Sequence, residues 1–198
     1  MIYPMDEISG SDIDVIRKQI GSEEAHIAGI VERCSYGYPS VVLLSPVKDP
    51  GNRRGDLRSN KKIYYTAAAN LLWLTCPYLN RKIHDLESDG YIRKIEELIQ
   101  DDRLLEKLMY SAHAHYYYFR KEILNYFLGN ITSIHDSMIF VTTGIGGIRD
   151  IRNIKCLHLH YAHYRICRNN VAGRLAYELL DGAIQCEEVL CSNAPIKK

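Results

Sequence analysis

Three cysteines sit in short, distinctive frames. Cys34 lies in Arg33-Cys34-Ser35-Tyr36-Gly37-Tyr38-Pro39, Cys76 in Leu74-Thr75-Cys76-Pro77 and Cys156 in Lys155-Cys156-Leu157-His158. The third frame runs on to His160 and His163. Thiols far apart in a chain, each framed by turn-formers or cations, suit one site assembled from several loops. Thiolates hold soft or borderline metals or act as nucleophiles. The chain has no Cys-x-x-Cys pair, which argues against a closed zinc finger. An iron–sulfur cluster of the [4Fe–4S] type takes four cysteines, so three leave one iron open for Lewis-acid chemistry. The expected metal ligands are therefore Cys34, Cys76 and Cys156, with His158 or His163 as a further ligand. The expected cofactor is a [4Fe–4S] cluster, with zinc as the alternative. A second reading has no metal: one cysteine is the nucleophile, and His158 or His163 is its base. Cys167, Cys186 and Cys191 lack such framing and are assigned structural roles.

Two further constellations add polar chemistry. His113, Tyr116 and Arg120 stand at i, i+3 and i+7, within a narrow sector of a helix. They suit a small anionic substrate, with Arg120 as a bidentate clamp, His113 exchanging a proton and Tyr116 beside them. The plainer alternative is a solvated helix face. Gly144, Gly146 and Gly147 form a turn whose backbone N–H groups would cradle an anion, with Arg149 and Lys155 supplying charge. No Gly-Lys-Ser/Thr follows, so this is not a nucleotide-binding Walker loop. Near Cys156, helical spacing puts Cys156, His160 and His163 on one face and His158 on the other. If residues 155–158 are extended, Cys156 and His158 come from a loop and His163 from the helix after it.

The elements that must position these residues follow from pattern. Ser11–Ile20 reads as a short helix, with Ile13, Ile16 and Ile20 at helical spacing. Ala25–Val31, Val41–Leu44, Asn70–Thr75 and Ser137–Thr142 read as strands, and Asp49–Lys62 as a polar loop. Tyr78–Ser88, Tyr91–Gln100, Arg103–Leu128, Cys156–Cys167 and Val171–Leu180 read as helices. The expected fold is α+β, a small sheet with a helical majority that includes one long tyrosine-rich helix. Residues 1–191 are expected to form one globular domain and 192–198 a frayed polar tail.

Composition narrows the function classes. The net charge of +1 gives no global field for nucleic acid or anionic lipid, so neither is an expected partner. The apolar run Ala67–Trp73 is far shorter than the ~20 residues a membrane-spanning helix needs. No secretory leader is apparent, so a cytoplasmic protein with reduced thiols is expected.

Several of these motifs occur together in a known order. Arg33-Cys34 with Gly37 and Pro39, Leu74-Thr75-Cys76-Pro77, and Leu86-Glu87 with Gly90 come first. Ala112-His113 with Tyr116 and Arg120, Gly146-Gly147, Lys155-Cys156-Leu157-His158 with Ala162-His163, and Asn170 with Gly173 follow. In this the chain resembles the bacterial family called domain of unknown function 501. The resemblance spans roughly Ile27 to Gly173 and implies a small cytoplasmic prokaryotic protein, with no reaction attached. The chain departs from the pattern at Asn170-Val171-Ala172-Gly173, where many members carry Asn-Pro, and His160 is not part of it. The resulting expectation is a metal- or iron–sulfur-dependent enzyme acting on a small anionic molecule. The alternatives are a metal-free cysteine/histidine enzyme or a non-catalytic scaffold whose motif residues hold the fold.

Overall fold

The computed structural model describes residues 5–22, 26–48, 66–67, 69–128, 143–182 and 185–192. The loop expected over 49–62, the strand expected over 137–142 and the tail beyond 192 lie outside the described residues. Among those described, six α-helices accompany a three-stranded antiparallel sheet, so the fold is α+β with a helical majority.

Helix α1 spans Gly10–Ile20. Its cap is Ser9, so the helix begins one residue before the expected Ser11. The Ser9 hydroxyl accepts the Asp12 N–H, and the Asp12 carboxylate accepts the Ser9 N–H at 3.0 Å, a reciprocal capping box. Gly21 ends the helix in the left-handed conformation, at φ 64°.

The sheet runs β1 (Ile27–Arg33), β2 (Pro39–Leu44) and β5 (Leu72–Leu74), with β2 in the centre. A separate two-stranded ribbon pairs β3 (Val47–Lys48) with β4 (Thr66–Ala67). Strand β2 reads as a continuous apolar run because both of its faces are covered. Val42 packs with Ile16 of α1 and Ile30, whereas Val41 and Leu43 enter the main core on the opposite face.

That main core is built by α2 (Pro77–Ser88), α3 (Tyr91–Asp101), α4 (Arg103–Leu128), α5 (Leu157–Ile166) and α6 (Val171–Leu179). Pro77 occupies the first turn of α2, where its missing N–H costs nothing. The long tyrosine-rich helix has the expected bounds. It buries Met109, Ala112, Tyr116, Phe119 and Ile123 and exposes Tyr110, Tyr118 and Tyr126. Helix α5 packs against β5, α2 and α6, so both of its polar faces meet other elements. No helix among the described residues is long and apolar enough to cross a membrane.

Candidate functional site

Cys156 is the N-cap of α5, extended at φ −158° and ψ 146°, and Leu157 begins the helix. His158 therefore sits in the first turn and faces α2, while His160 and His163 face α4. The Glu87 carboxylate, near the end of α2, accepts the Leu157 N–H at 2.5 Å. A carboxylate there meets both an unpaired helix N–H and the positive end of the helix dipole. The same oxygen lies 3.1 Å from His158 Nδ1, and His158 Nε2 lies 3.2 Å from the Asn80 carbonyl. The Cys156 sulfur, a carboxylate oxygen of Glu87 and a ring nitrogen of His158 all fall within 4.8 Å of one another. All three residues are half-buried. Burial pushes the Cys156 thiol up, and the nearby Glu87 carboxylate adds to the rise. Lys155 is exposed beside it and donates to the Gly146 carbonyl at 3.2 Å.

The other face of α5 carries a largely buried imidazole network, with His115 half-buried at its edge. Gly173 N–H donates to Asn170 Oδ1 at 2.9 Å, which fixes the Asn170 amide orientation. Its Nδ2 then donates to His163 Nδ1 at 3.0 Å, so His163 carries its proton on Nε2 and donates to His115 Nδ1 at 2.9 Å. Asn170 Oδ1 also accepts His160 Nδ1–H at 3.2 Å, leaving His160 Nε2 a bare acceptor with no partner among the described residues. On α4, His113 Nδ1 accepts the Ile145 N–H at 2.9 Å, so its proton is on Nε2. That N–H has no hydrogen-bond partner among the described residues. Burial is the chief cause that holds these rings neutral: His113 is pushed down to about 4, His160 to about 3, and His163 well below its usual range. Cys167 joins His115 and His163 in a second group of donors within 4.8 Å.

The expected substrate stripe of α4 is buried. Tyr116 is 1% exposed and its hydroxyl accepts the Leu71 N–H at 2.9 Å. Arg120 is 0% exposed, and its guanidinium donates to the carbonyls of Ala69 and Thr143 and to the Thr143 hydroxyl. These donors bind backbone, so the stripe ties the approach to β5 and the glycine turn to α4. The glycine turn is likewise engaged internally. Gly144 N–H donates to Ile148, Ile145 N–H to His113, and Gly147 N–H to Gly144. A Cβ on Gly144 would sit 2.2 Å from His113 Nδ1, so this position must be glycine for the imidazole to dock. Gly146 and Gly147 have φ of 77° and 76°, which favours glycine. Arg149 is exposed at the edge of this turn.

Residues 30–178 match the family model described as a protein of unknown function (DUF501). The chain belongs to this family. No curated protein and no solved structure matches it. The DUF501 span contains both faces of α5, the glycine turn, Cys34 and Cys76, but ends before Cys186 and Cys191.

Within that DUF501 span the three framed cysteines divide. Cys76 caps the first turn of α2 and has Cys34 for a neighbour, whereas Cys156 joins Glu87, which lies ~16 Å further along α2. His158 stands with Cys156, and His163 belongs to the imidazole network. Helical spacing on its own groups Cys156 with His160 and His163, but Cys156 caps the helix and turns toward α2. Sequence reasoning gave no chemical role to Glu87, His115, Asn170 or Cys167. Glu87 and Asn170 had a signal in the family motifs, but His115 and Cys167 had none.

Proposed function

We propose that the protein is a cytoplasmic metal-dependent enzyme, with Glu87, Cys156 and His158 as its centre and a small anion as its substrate. The observation that carries this reading is the convergence of a thiol, an imidazole and a carboxylate within 4.8 Å at a half-buried position. Such a donor set suits zinc, and three protein ligands keep a fourth position open, as in catalytic rather than structural sites. A bound divalent cation would supply Lewis acidity and hold Cys156 as thiolate. The remaining work falls to the chain's own groups. The Leu157 N–H orients Glu87, and the Asn80 carbonyl orients His158. Lys155, steadied by the Gly146 carbonyl, presents a cation to an incoming anion, and Arg149 is exposed at the edge of the same glycine turn. Hydrolytic and lyase reactions, which both need a polarised oxygen, fit this centre. His113, Tyr116 and Arg120 belong to the scaffold: they fasten the glycine turn and the approach to β5 to α4.

One observation favours a metal-free reading: carboxylate, imidazole and thiol also stand in the order of a cysteine nucleophile with its base and orienting acid. Against it, burial raises the Cys156 thiol, and both His158 nitrogens already face acceptors.

Zinc titration of metal-free protein separates the two. Cys156→Ser, His158→Ala and Glu87→Gln should each bind about one equivalent less than the parent while remaining folded. Unchanged stoichiometry in all three would sink the metal reading. Selective alkylation of Cys156 at neutral pH, with no protection by zinc, would put the thiol enzyme in its place.

A further inference from the structure

The second compact group of donors lies on the side of α5 away from Glu87. One donor atom each of His115, His163 and Cys167 falls within 4.8 Å of the other two. His163 and Cys167 stand at i and i+4, one helical turn apart at the end of α5. Paired ligands in helical metal sites use the same spacing. His115 comes from α4 and brings its Nδ1 to 2.9 Å from His163 Nε2. The two rings are tilted by 41°, with centroids 5.1 Å apart, so they meet through these nitrogens rather than by stacking.

The backbone that follows fixes the thiol. Cys167 caps α5: its N–H donates to the His163 carbonyl at 2.8 Å, and its carbonyl accepts the Asn170 N–H at 3.2 Å. Asn170 in turn caps α6 and holds His163 Nδ1 at 3.0 Å. Two donors and the residue that orients one of them are thus built into a single turn between α5 and α6. His163 and Cys167 are buried, and His115 is half-buried. A lone cysteine in a core is ordinarily a small hydrophobe. Beside two converging imidazoles it completes a donor set.

Two imidazoles and a thiol suit a borderline ion such as zinc and disfavour magnesium or calcium, which take oxygen ligands. Tetrahedral zinc, with Zn–N of about 2.0–2.1 Å and Zn–S of about 2.3 Å, sets nitrogens about 3.3 Å apart and each about 3.6 Å from sulfur. The His115–His163 pair therefore has to open by only about 0.4 Å. His115 already presents its lone pair at Nδ1, where it accepts from His163. On binding, His163 shifts its proton from Nε2 to Nδ1, and Cys167 releases its proton to solvent. Asn170 then has to turn its oxygen toward the new Nδ1–H and give up the Gly173 N–H. That turn opposes binding, so an acceptor that serves both N–H groups at once should strengthen it.

We propose that His115, His163 and Cys167 bind a zinc ion that clamps the α5–α6 turn to α4. Three protein donors leave a fourth position, which falls to water at the half-buried edge beside His115. The proposal uses none of the residues of the Glu87 centre, and either can fail alone.

Cobalt titration of metal-free, full-length Cys156→Ser protein tests it, because that variant removes the thiol of the Glu87 centre and leaves Cys167. It should take up about one equivalent with thiolate-to-cobalt charge-transfer absorption, and zinc should displace it. Adding Cys167→Ser should abolish the absorption, and adding His115→Ala should weaken binding at least about tenfold. Circular dichroism checks that the variants fold; one position is half-buried and the other ends a helix. Asn170→Asp offers one oxygen to the Gly173 N–H and the other to His163 Nδ1–H, and should tighten zinc binding about tenfold. A capping role alone would leave that affinity unchanged. Absence of thiolate-to-cobalt absorption in Cys156→Ser, or its survival at full intensity when Cys167→Ser is added, would overturn the proposal. So would unchanged or weaker zinc binding by folded Asn170→Asp, or uptake of copper(I) where zinc is refused.

Discussion

On one side of α5, Glu87, Cys156 and His158 stand half-buried, with an exposed lysine beside them. On the other, His160 and His163 are 0% exposed and close against α4. The two centres share a helix and a chemistry of imidazole and thiol, yet differ in what loss of a partner would do. A half-buried donor that loses its partner can turn to water. A sealed one is left with its full desolvation penalty, about 1–3 kcal/mol per group. The sealed face is thus a stability element that orients α4, α5 and α6, and the open face is where a ligand can exchange.

The strongest way to break this contrast is at Gly173. A Cβ there would lie 2.2 Å from the His160 carbonyl oxygen and 2.5 Å from Tyr164 Cβ. One of these obstacles is backbone, so α5 and α6 would have to separate, disturbing the Asn170 bonds to His160 and His163. Gly173→Ala should cost more than about 4 kcal/mol, measured as a fall in denaturant midpoint. Gly10→Ala, whose Cβ meets nothing within 4 Å, provides the control. A Gly173→Ala protein as stable as its parent would mean that the sealed face is not tightly built.

Acid sharpens the same comparison. His113, His160 and His163 have folded pKa values below 6.5, so the unfolded chain binds their protons first. Their stabilisation is fully present above pH 6.5. It is lost as pH falls toward about 4 for His113 and about 3 for His160. Between about pH 5.5 and 4, His113, His160 and His163 together should lower stability by roughly 4 kcal/mol per pH unit, and His115, which burial also pushes down, adds to the fall. Denaturation midpoints at a series of pH values measure the slope. His160→Phe should reduce it by about 1.4 kcal/mol per pH unit, whereas His158→Ala should leave it unchanged. Equal effects from the two substitutions would erase the distinction between the faces.

Much of the fold was legible in the chain because local rules and tertiary contacts agree there. The 3.6-residue pattern and Pro77 mark α2, and the bounds of α4 follow from the run between Asp102 and Gly129. The apolar run Val41–Leu44 reads as a buried strand and is the central one. The site was harder to read. The spacing of His113, Tyr116 and Arg120 locates a helix face, but a face of polar residues looks the same in sequence whether it meets solvent or core. What decides the matter is the backbone carbonyls of Ala69 and Thr143, from segments remote in sequence, which accept from the terminal nitrogens of Arg120 inside. The frames around Cys34, Cys76 and Cys156 mark positions that matter. Their grouping depends on α2, which carries Cys76 and Glu87 at opposite ends, and no local pattern encodes that length.

The smallest expected effect comes from a single oxygen on the sealed side. Tyr116→Phe keeps the ring that packs against His163 at 5.2 Å between centroids and removes only the hydroxyl. The Leu71 N–H then loses its acceptor in a position that is 0% exposed. The cost should be about 1–3 kcal/mol, less than at Gly173 because no backbone has to move. The Leu71 carbonyl still accepts the Leu44 N–H at 2.7 Å, so the edge of the sheet stays paired. The loss should therefore be local: faster amide hydrogen exchange at Leu71, with little change at α2. Zinc uptake at Glu87, Cys156 and His158 should be unaffected, since Tyr116 touches none of them. If Tyr116→Phe instead lowers metal uptake while stability is preserved, the two faces of α5 are one functional unit, and the division between a sealed scaffold and an open centre does not hold.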